Sequence, residues 1–147
     1  MSKLVSLFEL ALKARDNAYA PYSGFKVGAA ILSSNLNTYL GCNVENVSYP
    51  CGTCAEAGAV SAMNVNGDKL IKDIVIVADS QNLITPCGAC LQKIFEFSDN
   101  NTTVHLADLS GIKKSYKISE LLPSAFDEKE LKHDWYIRTK PKKRIRR

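Results

Sequence analysis

The residues able to do chemistry are five cysteines and one glutamate, and they are unevenly spread. Cys51 and Cys54 stand in YPCGTCAEA, Cys87 and Cys90 in TPCGACLQ, and Cys42 stands apart. Two C-x-x-C pairs have the spacing of a structural zinc site built from four thiolates. Glu56, two residues after Cys54, opens another possibility. Three thiolates leave a tetrahedral zinc one free position for water, and a carboxylate beside that position can take the water's proton and pass it on. A structural site needs no such group. Alone, however, Glu56 is also what a helix N-terminus favours, an acid in the first turn facing the positive end of the dipole. The residue types leave two roles open: zinc that holds a fold, or zinc that activates water.

Either role requires elements that bring the thiols together. Cys54 opens CAEAGAVSAMNV, a run of good helix formers that stops at Asn66 and Gly67. Cys87 and Cys90 open CGACLQKIFEF behind Pro86, three apart and therefore on one face of a first turn. At a helix N-terminus, free backbone N–H groups and the dipole stabilise a thiolate. Upstream, Leu4, Phe8, Ala11 and Leu12 recur at helical spacing over residues 3–19, before Pro21. GFKVGAAIL and TYLGCNVE read as two strands joined by the turn SSNLN, with Phe25, Val27, Ala29 and Ile31 alternating along the first. DIVIVAD, residues 73–79, is a continuous apolar strand of the buried type, TVHLADL alternates, KKSYKIS can add an edge strand, and DEKELKHDW a short closing helix. The order predicts an α/β fold, a three-layer sandwich in which a mixed five-stranded sheet is flanked by helices.

At 147 residues and 46% hydrophobic, the chain suits one domain, expected over residues 1–137, without internal repeats or low-complexity segments. Seven of the 19 Lys and Arg lie in 138–147, leaving 12 against 15 acidic residues, a net of −3, over 1–137. The basic stretch RTKPKKRIRR is expected to be a mobile, solvated tail, as charge runs at chain ends usually are, and nucleic acid is not the expected partner. No apolar run reaches the roughly 18–20 residues that span a bilayer, and Glu9, Lys13, Arg15 and Asp16 in the first helix argue against a signal peptide. Clustered thiols without a secretory leader point to a reducing, cytoplasmic location and no membrane partner.

NVENVSYPCGTCAEA together with TPCGACLQ, preceded by APYSGFKVGAAI and followed by LLPSAF, resembles cytidine deaminase of the small homotetrameric type. The glutamate with a following P-C-x-x-C matches the zinc deaminase arrangement, with cysteine in place of histidine at the first ligand. The resemblance implies one zinc ion per subunit, held by Cys54, Cys87 and Cys90, and Glu56 as proton shuttle. It implies hydrolytic deamination of cytidine and 2′-deoxycytidine to uridine and 2′-deoxyuridine, with release of ammonia, in pyrimidine salvage; a zinc hydroxide attacks C4 while Glu56 protonates N3. It further implies that the Ala55 N–H holds the pyrimidine O2, that Asn43 and Glu45 hold the ribose 3′-hydroxyl, and that Phe25 packs against the base. Phe126, and with it Val47 and Tyr49, are expected to contact the nucleoside across a subunit interface, so that the homotetramer shares its active sites.

Two positions depart from the family's commonest pattern, which has arginine where this chain has Ala57 and Leu91. Three thiolates on a divalent zinc leave a net charge of −1, so the helix N-termini, or Lys26 or Lys93, are the expected compensation. Cys42 and Cys51 are expected to be small buried hydrophobes, and His105 and His133 neither ligand nor base. Two alternatives stand beside this reading: a deaminase of the same fold acting on another amino-heterocycle nucleoside, and a non-enzymatic four-cysteine zinc module that binds nucleic acid.

Overall fold

The computed structural model describes residues 3–131; His133, the second half of the expected closing helix and the basic stretch 138–147 lie outside them. Five strands form one sheet: β1 (Val27–Ser33), β2 (Thr38–Cys42), β3 (Ile71–Ala78), β4 (Thr103–Asp108) and β5 (Gly111–Lys117), in the order β2-β1-β3-β4-β5. β3 and β4 run parallel, and every other neighbouring pair is antiparallel. The parallel pair follows from the helix α3 (Gly88–Glu96) that connects it, since a short hairpin can join only antiparallel strands. KKSYK, the part of KKSYKIS that lies in β5, is at the sheet's edge, as expected.

Helices cover both faces, as expected. α1 (Lys3–Asp16) packs through Leu7 and Ala11 on Ala30, Leu32, Val75 and Val77. On the other face, α2 (Ala55–Val65) and α3 pack through Ala59, Met63 and Ile94 on Ala29, Ile31, Ile74, Ile76 and Leu106. Successive residues of β1 and β3 thus enter opposite cores, which is why IVIVA in β3 is apolar at every position. Among the described residues no helix is long and apolar enough to cross a membrane.

Some boundaries differ from the sequence expectation, each for a local reason. α1 stops at Asp16, because Tyr19 turns away to donate its N–H to Asn43 O at 3.0 Å and pairs with Val44. β1 starts at Val27, because Gly24 takes a left-handed φ of 67° and closes a turn onto Ala20 O at 2.9 Å. A short helix α4 (Ile118–Leu121) follows β5, where a continuing strand was expected, and the Glu120 carboxylate accepts the Lys117 N–H at 2.6 Å. The described part of the expected closing helix is a single 3₁₀ turn, Glu128–Glu130.

One close contact places the chemistry. Gly41 of β2 lies directly under α2, where a methyl group would run into the Ala55 carbonyl and the Ala59 amide. The missing side chain lets the helix rest on the strand, bringing the N-terminus of α2 beside the residues that follow β2.

Candidate active site

Cys54 and Cys87 each occupy the N-cap of a helix, with extended backbones of φ −76°, ψ 156° and φ −69°, ψ 166°. Ala55 and Glu56 form the first turn of α2, and Cys90 lies in the first turn of α3. Packing of α2 and α3 on one sheet face turns these two ends toward each other. The ligand atoms of Cys54, Glu56 and Cys90 lie within 4.8 Å of one another. Glu56 is 5% exposed and Cys90 2%, whereas Cys54 and Cys87 are exposed in this chain.

The electrostatics of this group are unfavourable without a cation. Burial, the Glu56 carboxylate and the thiols of Cys54 and Cys87 all push the Cys90 thiol far above its ordinary range. Cys87 is shifted the other way: the backbone amide of Cys90, with the Cys90 side chain and the Ala89 amide adding to it, favours its thiolate. Four groups of one charge type crowded at two helix ends are a donor set that a divalent ion would relieve, and three soft thiolates suit a tetrahedral zinc with one position left open. The residues therefore fit the ion that the sequence suggested, with Cys87 joined to the group through Cys90.

Beside the thiols opens a cavity of about 670 Å³, within the range of small-molecule sites. Phe25, Asn43, Glu45, Ala55, Glu56 and the three candidate ligand cysteines line it. Tyr49 lines it too, from its own chain, where a contact across an interface was expected. Residues 43–45 link these parts. Val44 pairs with Tyr19 on one side and, through two backbone bonds of 2.9 Å, with Thr53 on the other, one residue before Cys54.

Asn43 and Glu45 are engaged within the protein. The Asn43 amide donates to Phe25 O and accepts from Val27 N–H, both at 2.8 Å. Glu45 Oε2 accepts the N–H groups of Tyr22 at 2.9 Å and Ser23 at 3.2 Å, while the Ser23 hydroxyl donates to Oε1. That hydroxyl bond, followed by the amides of Tyr22 and Ser23, holds the Glu45 carboxyl below its ordinary pKa.

Other residues that the sequence reading named lie outside the cavity of this chain. Val47 is 78% exposed and Phe126 59%, and neither lines the cavity of this chain; the Phe126 backbone is tied to the side chain of Gln92 by bonds of 2.9 and 3.1 Å. Cys51 is exposed rather than buried, because it ends a 3₁₀ turn (Tyr49–Cys51) on the surface, where its thiol donates to Ser48 Oγ at 3.6 Å; Cys42 is half-buried. Neither Lys26 nor Lys93 compensates the thiolates. Lys26 reaches back to Asp16 O at 3.1 Å, and among the described residues no Lys or Arg lines the cavity. Charge compensation from the described residues falls to the two helix N-termini. His105 is held between Ser115 Oγ at 2.7 Å and Asp73 Oδ1 at 2.9 Å and does not line the cavity.

Tyr22, Ser23, Thr53, Ile84 and Thr85 also line the cavity, and the sequence reading singled out none of them. They lie in irregular segments, where no periodicity signals which way a side chain faces.

A mixed sheet that gathers thiols and a carboxylate at two helix N-termini, beside a cavity of nucleoside scale, is suited to metal-supported hydrolysis. Residues 1–106 match the family model described as the cytidine and deoxycytidylate deaminase zinc-binding region. The cytidine deaminase of Sporosarcina psychrophila is 40% identical over 121 residues, covering 82% of this chain and 89% of that protein. That of Halalkalibacterium halodurans is 39% identical over 125 residues, covering 85% and 95%. The crystal structure of cytidine deaminase from Burkholderia pseudomallei superposes with a TM-score of 0.80 at 38% identity, covering 86% of this chain and all (100%) of that one. The chain belongs to the cytidine deaminase family and is a hydrolase.

Proposed function

We propose that this chain deaminates cytidine and 2′-deoxycytidine hydrolytically, giving uridine and 2′-deoxyuridine with release of ammonia, in pyrimidine salvage in the cytoplasm. The observation that carries the reading is the buried Glu56 carboxylate within 4.8 Å of the Cys54 and Cys90 thiols, at the wall of the cavity. Cys54, Cys87 and Cys90 would hold one zinc ion per chain, which when bound supplies the Lewis acidity that makes water nucleophilic near neutral pH.

The chain's own groups do the rest. Glu56 accepts a proton from the attacking water and delivers it to N3 of the pyrimidine; it then carries the proton of the new C4 hydroxyl to the amino group, so that the C4–N bond breaks, ammonia leaves and C4 becomes the carbonyl of the product. Burial suits a shuttle, because bulk water cannot intercept the proton. The Ala55 N–H, in the first turn of α2 where amides have no intrahelical acceptor, binds the pyrimidine O2. Phe25 packs on the base, and Asn43 and Glu45 use the hydrogen-bonding capacity left by their protein partners on the ribose 3′-hydroxyl. Tyr49 closes the cavity from its own chain. In a homotetramer, the exposed Val47 and Phe126 would complete a neighbour's site.

The test is direct. Purified protein with zinc is mixed with cytidine or 2′-deoxycytidine, the loss of cytidine absorbance is followed, and uridine and ammonia are measured. Equal molar formation of uridine and ammonia is expected; cytidine left intact by zinc-loaded protein would overturn the reading.

A further inference from the structure

The segment from Tyr22 to Phe25 forms one wall of the cavity, yet it belongs to no strand. Its backbone has no sheet ladder to hold it, and Gly24 within it takes a positive φ. The Gly24 amide turns back onto Ala20 O, and the amides of Tyr22, Ser23 and Phe25 are satisfied by side chains.

Glu45 accepts the amides of Tyr22 and Ser23, Asn43 donates to the Phe25 carbonyl, and one residue of the wall joins the two ends of the arrangement. The Ser23 hydroxyl donates to Glu45 Oε1 and accepts the Phe25 N–H at 3.0 Å. A hydroxyl has one proton to give, so this donor is committed to Glu45 while its lone pairs serve Phe25. The Ser23 N–H adds a second bond to the same carboxylate at 3.2 Å. On the other side of Phe25, the Asn43 amide takes its carbonyl at 2.8 Å. Phe25 is therefore held at its N–H through Ser23 and at its C=O through Asn43, with Ser23 linking its amide to the carboxylate of Glu45.

We infer that Ser23 is a positioning residue for nucleoside binding: its hydroxyl couples the Glu45 carboxylate to the Phe25 backbone, so that the sugar-facing and base-facing parts of the cavity are set by one bridge. This rests on the proposed roles of Phe25 and Glu45. Alanine at position 23 leaves the Phe25 N–H without its acceptor and removes one of three donors from Glu45, while the two backbone donors remain. The effect is loosened placement, not loss of the carboxylate's charge or of the thiols.

Two measurements on zinc-loaded full-length protein test this. In steady-state kinetics with cytidine, Ser23→Ala should raise KM about tenfold while kcat stays within about threefold, the signature of lost uniform binding, and Ser23→Thr, which keeps the hydroxyl, should restore KM to within about threefold of the wild type. In the ligand-free protein, amide exchange at Phe25 should speed up at least about tenfold in Ser23→Ala, with core amides in β3 unchanged. An unchanged KM in an active enzyme, or equal loss in the alanine and threonine variants, overturns the inference. Unchanged Phe25 exchange overturns it even if cytidine proves not to be the substrate, whereas failure of the wild type on cytidine with faster Phe25 exchange in Ser23→Ala overturns the substrate assignment and leaves the bridge standing.

Discussion

The Tyr39 hydroxyl donates to Asp68 Oδ2 at 2.8 Å, joining β2 to the segment that leads into β3. Three more side chains converge on the same buried carboxylate: Ser33 at 2.6 Å, Asn35 at 2.5 Å and Asn37 at 3.1 Å. Asp68 thereby fastens the whole β1–β2 hairpin, and with it the strand on which α2 rests. The hydrogen bonds from Ser33, Asn35, Tyr39 and Asn37, in that order of weight, hold its carboxyl well below the usual carboxylate range.

A depressed carboxyl pKa contributes stability that is present above the unfolded-state value of about 4 and is lost as pH falls through the folded-state value. Asp68→Ala should therefore lower the unfolding temperature by several degrees at pH 7. Its deficit relative to the wild type should stay constant down to about pH 5 and shrink below about pH 4. Thermal unfolding followed by circular dichroism across that range checks this; a deficit that does not change with acidification would show that the carboxylate's charge is irrelevant.

Glu56→Gln keeps the shape of the side chain and removes its basicity. The variant should retain zinc and fold, and lose about 10²- to 10⁴-fold in kcat. Zinc content and turnover measured on the same preparation are enough, and a loss below about tenfold would remove Glu56 from the proton path.

Cys90 and Cys51 should behave oppositely. Cys90 is buried against Glu56 and the other thiols, while Cys51 is exposed and bonded to Ser48. Cys90→Ser should reduce bound zinc well below one per chain, and Cys51→Ser should leave it at one, as read by a colorimetric chelator after unfolding. Zinc released by Cys51→Ser would revive a four-cysteine site.

Two glycines face each other where α2 crosses β2, and only one has room for a methyl group. At Gly58 the nearest atom to an added Cβ would be Gly41 Cα at 3.4 Å, but at Gly41 the methyl would overlap the Ala55 carbonyl and the Ala59 amide. Gly58→Ala should be neutral or stabilise by up to about 1 kcal/mol, because alanine is the better helix former. Gly41→Ala should destabilise by about 3 kcal/mol or more and displace the N-terminus of α2, with lower zinc content in whatever remains folded. Denaturant melts of both variants decide the matter.

Much of the site was legible because its chemistry is local. Cys87 and Cys90 share one first turn, and Cys54 and Glu56 share another, so their spacing already stated which side chains could converge. The α/β alternation was legible for a similar reason: burial on two faces left β3 apolar throughout, and burial of one stripe left α1 periodic.

What the spacing could not convey was how residues distant in sequence share their hydrogen bonds. Asn43 and Glu45 read as substrate contacts, but whether they also brace Phe25, Val27, Tyr22 and Ser23 depends on where an irregular segment lies. Cys51 read as a small buried hydrophobe because an apolar residue would serve at its place in the family's pattern, yet a three-residue 3₁₀ turn carries it to the surface. Asp68, a lone acid after a glycine, gave no sign of its four donors.

The amino-acid order alone thus determined the candidate donor set, the carboxylate proposed to carry the proton and the order of helices and strands, since residue type and short-range periodicity are properties of the chain. Only the tertiary structure decided which thiols meet, which polar side chains are already occupied and which loop walls the cavity, because those depend on the approach of segments such as β2 and α2, permitted at Gly41 by the absence of a side chain.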